Sequence, residues 1–263
     1  MAYFTNGITF VGAIGNMTAY KMRGSDKVII RGKGGASKEQ IRHSPRFERT
    51  RENNAEFGGC SYASKAIRHT LFPVKHLADY NFTPTMNKLA KSIQLLDKVG
   101  ERGKRDIQLS RHGYLLDGFQ LNKKTPFDSV LRRPISCSIE RETGSAVIQL
   151  PYLKPGSNLM MPWQYPFFRI IITFGMVADV VYNENGYQNR EELPVPTTVY
   201  TEWQPVKQDF KAQNIALQLT DLEGLDDTKM LLVGIGIEIG MPITNEVIDV
   251  VKYAGCAKIL ATG

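Results

Sequence analysis

The residues best suited to chemistry lie between positions 28 and 72. There Gly32-Lys33-Gly34-Gly35-Ala36-Ser37 follows an apolar run, and arginines recur from Arg42 to Arg68. A glycine-rich loop carrying a lysine can wrap a phosphate, because backbone amides ring the anion and the ammonium reaches it. That geometry needs GxxxxGK followed by Ser or Thr. The spacing here differs, so the loop reads as a flexible turn leaving a strand. Arg31, Lys33, Arg42, Arg46, Arg49, Arg51, Lys65 and Arg68 remain as a candidate surface for a polyanion or a subunit contact. With Phe47 and Phe57 interleaved, such a surface could touch phosphates and stack bases. Glu48, Glu52 and Glu56 recur among the arginines at four-residue spacing, which predicts pairing along one helix and a weaker positive field.

The remaining reactive residue types form no recognisable pattern. His43, His69, His76 and His112 stand outside HExxH or any zinc spacing, no GxSxG occurs, and Cys60, Cys137 and Cys256 form no CxxC pair. The acidic run DLEGLDD, with Asp221, Glu223, Asp226 and Asp227, lacks the DxDxDG order of a calcium loop and reads as a solvated turn. GIGIEIG, 234–240, has glycines alternating inside a strand-like run, whereas a dinucleotide fingerprint must close a strand and open a helix. Its glycines mark a face against which another backbone or a large aromatic packs. Trp163 and Trp203 are expected in the core. The expectation is therefore a protein that is not an enzyme, with no catalytic, cofactor-binding or metal-binding residues.

In composition, 263 residues with 42% hydrophobic and 22% charged side chains suffice for a folded core. The net charge of +7 is uneven: residues 1–134 carry 24 Lys and Arg against 11 Asp and Glu, and 135–263 carry 9 against 15. A basic half can face nucleic acid or the acidic half of a neighbouring copy. Three widely spaced cysteines favour a reducing compartment. With no basic-then-apolar leader and no run of ~18 apolar residues, no signal peptide and no membrane partner are expected. The protein is expected in the cytoplasm or in a released particle.

These residues must be positioned by three kinds of element. Short apolar bursts broken by Gly15-Asn16 and Gly24-Ser25-Asp26 predict two small hairpins over 7–31. Strands so short are marginal alone and should complete their pairing elsewhere. Ser44-Pro45 predicts a helix start. The helix would carry a small-residue face through Ala55, Ala63, Ala66 and Ile67, an interruption at Gly58-Gly59, and an end at Pro73. Thr83-Pro84 starts a second helix, with Met86, Leu89, Ala90, Ile93, Leu96 and Val99 running to Gly100. From position 107 the period becomes that of strands, near 114–121, 135–140, 145–153, 167–182, 197–204, 213–219, 230–241 and 247–260. The fold class is thus α+β, mostly β. A hairpin arm (1–35) and a basic helical segment with two helices (36–106) precede an antiparallel β-sandwich or jelly-roll-like domain (107–263).

At Gly12-x-x-Gly15-Asn16, 20–31, and Ser44-Pro45 through Phe57-Gly58 to Ala66, the chain resembles a group of bacterial and phage-linked structural proteins. These share a Gly-x-x-Gly-Asn hairpin, a strand ending in Arg and a Ser-Pro/Arg/Phe helix. FFRIIITFGMVADVVYNENGYQ and LLVGIGIEIG are similar to their β-rich C-terminal parts. The resemblance implies a non-enzymatic structural subunit that assembles with copies of itself into a ring, tube or shell. The alternative is a nucleic-acid-binding protein, taking DNA or RNA on its basic N-terminal half.

Overall fold

In the computed structural model the described residues are 2–3, 10–22, 25, 27–187, 194–220, 225–244 and 246–263. They form an α+β fold in which strand outweighs helix, 37% against 26%, and the sheets are antiparallel. Two compact units are present, Met1–Arg51 and Glu52–Gly263.

The first unit is a four-stranded sheet of β1 (Ala2–Tyr3), β2 (Gly12–Ile14), β3 (Met17–Lys21) and β4 (Val28–Gly32), ordered β1-β4-β3-β2. Gly15-Asn16 turns β2 into β3, as expected. The 24–26 turn falls partly outside the described residues. After β4 the glycine loop runs into α1 (Lys38–His43), a helix of only six residues. A reciprocal capping box starts α1: the Ser37 hydroxyl accepts from the Gln40 amide, and the Gln40 side chain accepts from the Ser37 amide. Ser44-Pro45 opens only a 3-10 turn, Pro45–Phe47, and the Ser44 side chain makes no capping bond. This corrects the expected cap.

The second unit begins one turn into α2 (Glu48–Thr70), which continues unbroken through Gly58-Gly59. The expected interruption is absent because packing outweighs propensity there. A Cβ on Gly59 would lie 2.8 Å from the Tyr187 ring, so the bare backbone is what lets that ring dock. Leu71 and the 3-10 segment Phe72–Leu77 follow, with Pro73 just past the helix end. α3 (Thr83–Gln94) ends six residues before Gly100. Asp97 stops it by accepting the amides of Val99 and Gly100, which leaves Val99 97% exposed. Two single turns, α4 (Leu109–His112) and α5 (Phe127–Val130), precede the sheets. The strand expected near 114–121 is instead a 3-10 turn at Gly113–Leu116 followed by irregular chain. Its apolar residues are buried nonetheless, Leu116 and Leu121 fully, and the amides of Gly118 and Leu121 bond the carbonyls of Ile259 and Ala257.

The other expected strands are all present. In chain order they are β5 (Ser136–Glu140), β6 (Ser145–Leu150), β7 (Phe167–Ala178), β8 (Tyr182–Asn183), β9 (Gly186–Tyr187), β10 (Thr197–Tyr200), β11 (Gln204–Pro205), β12 (Gln213–Gln218), β13 (Lys229–Pro242) and β14 (Ile248–Thr262). One sheet runs β10-β7-β13-β14 with β11 also on β7, a second runs β12-β6-β5, and β8-β9 is a hairpin over Asn183-Glu184-Asn185-Gly186. Burial of both faces explains why β7 and β13 are apolar apart from Arg169, Thr173, Lys229 and Glu238. Phe168, Ile170, Ile172 and Phe174 join Leu231, Val233, Ile235 and Ile237 against Ile148 and Leu217 of the smaller sheet, forming the sandwich interior. On the opposite face Ile171, Val177 and Leu232 meet α2, α3 and the 3-10 segment. The result is three layers: helices, large sheet, small sheet. The glycines of GIGIEIG do form a packing face, but leucine side chains as well as the expected aromatic lie against it. Cβ atoms at Gly234 and Gly236 would meet Leu71 at 2.7 Å and Leu77 at 2.5 Å, and one at Gly240 would meet Trp203 at 2.6 Å.

Candidate functional site

The basic residues divide between the two units. In the first, Arg31 ends β4 with its guanidinium 5.4 Å from the centre of the Tyr20 ring. Together with Lys33, Thr18 and Gly34 it lines an open cavity of about 380 Å³. Arg42 on α1 and Arg46 in the 3-10 turn are exposed, as is Arg49. Arg51 serves the fold instead: its Nη1 donates to the carbonyls of Ile41 and Ser44, both at 2.9 Å, tying the end of α1 to the start of α2. Lys65 and Arg68 lie on α2 in the second unit, where Arg68 donates to the Ser64 carbonyl. Arg31 and Lys33 thus share a cavity that none of the other six lines.

The first unit also displays apolar side chains. Val11, Ile14, Met17, Tyr20 and Met22 on β2, β3 and their flanks are all exposed, and among the described residues β2 pairs on one side only. Ten Lys and Arg against three Asp and Glu fall within residues 1–51, so the whole net charge of +7 lies there; the remaining residues hold 23 of each sign.

Two buried carboxylates organise the second unit, and sequence reasoning missed the role of each. Glu56, 2% exposed, accepts from Lys91 Nζ and from the Gly103 amide, with Arg105 Nη1 at 3.6 Å. Burial opposes its charge, but the bonds from Lys91 and Gly103 hold the carboxyl below the usual range. Glu52 likewise meets Arg102, at 3.4 Å. Glu56 thus finds its cationic partners far along the chain, and Glu52 meets one there as well. Gln94 extends the Glu56 network, accepting from Lys91 and donating to the Tyr187 hydroxyl. Glu238, 3% exposed, is bonded at 2.6 Å by both His76 Nε2 and Arg169 Nε, and these bonds hold it low against burial. The Arg169 guanidinium lies 4.4 Å from the Tyr200 ring centre and 4.5 Å from that of Trp203. The only charge in LLVGIGIEIG is Glu238, and that isolation is the signal the sequence offers.

Two further cavities lie within the second unit. A groove of about 510 Å³ between α2 and α3 is lined by Asn53, Phe57, Cys60, Pro84, Asn87 and Lys88 among others. Burial raises the Cys60 thiol to about 11, so it stays protonated and a poor nucleophile at neutral pH. The other cavity, about 480 Å³, lies beside Leu77 and Gly255 and is walled partly by Tyr80, Trp163 and Tyr253.

Among the described residues, no group of three His, Cys, Asp or Glu is placed to hold a metal ion. Likewise no helix among them is long and apolar enough to cross a membrane. Asp221 and Glu223 of the acidic run lie outside the described residues. Asp226 accepts from the amide and hydroxyl of Thr228, as a turn residue does. Comparisons with protein-family models, curated proteins and solved structures give no match.

Proposed function

We propose that the protein is a non-enzymatic structural subunit that assembles with copies of itself into a ring, tube or shell of phage-like type, using its first unit as the joining element. The observation that carries this reading is the exposed apolar set Val11, Ile14, Met17, Tyr20 and Met22 on a sheet whose strand β2 is an edge among the described residues. Exposed apolar patches and unpaired edges on soluble chains mark surfaces that meet other protein, and strand addition supplies main-chain hydrogen bonds. The charge supports it too. A first unit carrying all of the +7 can be drawn to the net-acidic 135–263 region of a neighbour.

Light scattering coupled to size exclusion, with negative-stain imaging, tests the reading. The full chain should form a discrete large particle, and a chain lacking residues 1–35 should remain monomeric. Normal assembly by the truncated chain would refute the role of the arm.

A second reading, nucleic-acid binding, draws on the Arg31–Lys33 cavity within that same unit. It predicts DNA or RNA affinity that falls steeply with salt and drops when Arg31 and Lys33 are replaced by alanine. The same particle preparation, assayed with and without nuclease, separates the two.

A further inference from the structure

Tyr253 combines two features that favour nothing within this chain. It is the only non-glycine residue with positive φ among the described residues, at +63°, and its side chain is 97% exposed. A left-handed backbone is unfavourable for a bulky residue, and so is leaving an aromatic ring in water. The local geometry imposes this pose. The pairing of β13 with β14 shifts register between Glu238 and Gly240, opposite a stretch of β14 where Gly255 has φ +135°. Such a bulge re-aims side chains. Here the ring is placed at the cavity of about 480 Å³ that Tyr80 and Trp163 also line.

We propose that this cavity is a saccharide-binding site that takes a neutral pyranose residue against its aromatic walls. A pyranose presents an apolar C–H face and a rim of hydroxyls, so it needs flat apolar surface beside groups that both donate and accept. Tyr80, Trp163 and Tyr253 supply the surface, and Thr125, Lys124 and Asp79 supply the polar groups. Each Asp79 oxygen accepts one backbone amide, from Lys123 at 2.8 Å and from Lys124 at 2.7 Å. These bonds fix the carboxylate and leave further lone pairs for hydroxyl donors. The Lys123 ammonium sits 4.3 Å from the Tyr80 ring centre and Phe82 meets the ring edge-on at 6.5 Å, contacts that fix its orientation in the cavity wall.

The floor is preorganised. Asn122 donates to the carbonyls of Leu77 and Gly255 and accepts the Ala257 amide, which locks the cavity wall to β14. Charge then selects the ligand class. Asp79 and Lys124 cancel in the lining, and the Lys123 ammonium beside it is directed to the Tyr80 ring, so little net charge is offered and a neutral polyol is favoured over a phosphate or a sulfated sugar. The Arg31–Lys33 cavity of the first unit, which carries only cations, is the contrasting case. This inference stands independently of the assembly reading.

The test is an array of neutral and anionic glycans probed with the full chain, followed by calorimetric titration of the strongest neutral binder. Binding of a neutral glycan is expected, little changed by added salt. It should weaken about tenfold in Tyr253→Ala, the equivalent of losing one aromatic contact. Lys124→Ala should also weaken it, and Trp203→Phe, away from the cavity, should leave it unchanged. Four outcomes would overturn the proposal. These are no neutral glycan bound, binding indifferent to Tyr253→Ala, a preference for anionic glycans that salt abolishes, or a particle mass that falls in Tyr253→Ala. The last would make the ring a subunit contact instead.

Discussion

Glu56 and Glu238 are carboxylates buried within the second unit and held charged by partners from distant parts of the chain. Removing one member of a buried pair strands the others, which costs about 3–5 kcal/mol when all are fully buried. Lys91 and Arg105 keep some solvent contact, so Glu56→Ala is expected near the low end, about 3 kcal/mol, by urea denaturation. The pH dependence has a definite sign. Both carboxyls titrate lower in the fold than their ordinary 4.5, so the unfolded chain binds protons first as pH falls. Their contribution is complete above about pH 4.5 and disappears as pH drops through the lower folded values. Denaturation midpoints measured from pH 7 downward should decline below about 4.5, and less steeply in Glu238→Gln. Tyr253 gives the converse case. Glycine tolerates φ +63° without strain, so Tyr253→Gly should raise stability by about 1 kcal/mol while weakening sugar binding about tenfold. A gain in melting temperature with loss of glycan affinity would show strain retained for a ligand.

The elements depend on close approach at glycine, and the magnitudes rank the sites. At Gly59, alanine would gain about 1 kcal/mol of helix propensity. It would also drive a Cβ to 2.8 Å from the Tyr187 ring, which is pinned by its hydroxyl bond to the Arg105 carbonyl and by Gln94. A pinned ring cannot give way, so Gly59→Ala should destabilise by a net of about 1–2 kcal/mol. At Gly236 the nearest atom is the tip of Leu77, which can rotate, and the expected cost is about 1 kcal/mol. Gly255 is the severest: φ is +135° and a Cβ would lie 2.5 Å from the Ile237 carbonyl oxygen, a backbone atom that cannot rotate away, and 2.6 Å from Leu77. Gly255→Ala should cost more than about 3 kcal/mol and impair the cavity that Gly255 lines. Thermal unfolding of the three variants reads the order directly. The alternation of Ile and Gly in β13 marks such a packing face in the sequence itself. The Ser37-x-x-Gln40 spacing is equally legible as a capping box, yet Ser44-Pro45 carries the more familiar start signal and makes no cap. The length of α3 is not legible, because Asp97 ends it through amides that only the folded turn brings within reach.

The two units differ in kind. The second has two extensive apolar clusters on either face of its large sheet. The first has Ala19, Val28 and Ile29 as its buried apolar residues among those described, together with the full net charge. A small sheet with so little core is marginal alone and gains stability from a partner. If the basic unit meets the acidic region of another copy, raising salt should slow assembly, since exposed charges are screened beyond about 10 Å at 0.1 M. Light-scattering growth rates across a salt series measure this, and a rate indifferent to salt would leave apolar contact as the sole driver.

Composition and periodicity alone determined the α+β class, the run of antiparallel strands after position 107, the hairpin at Gly15-Asn16, and the GIGIEIG glycines as a packing face. These follow from patterns repeated every two residues or confined to one turn, which neighbours in sequence carry by themselves. Tertiary structure decided the rest. It separated Arg51, used internally, from Arg31 and Lys33, which share a cavity. It gave Glu56 and Glu238 their cationic partners, and it lifted Tyr253 onto the rim of a site formed with Tyr80 and Trp163. Each of these joins residues tens to more than a hundred positions apart, and no local pattern encodes which distant partner a buried charge or a strained ring will meet.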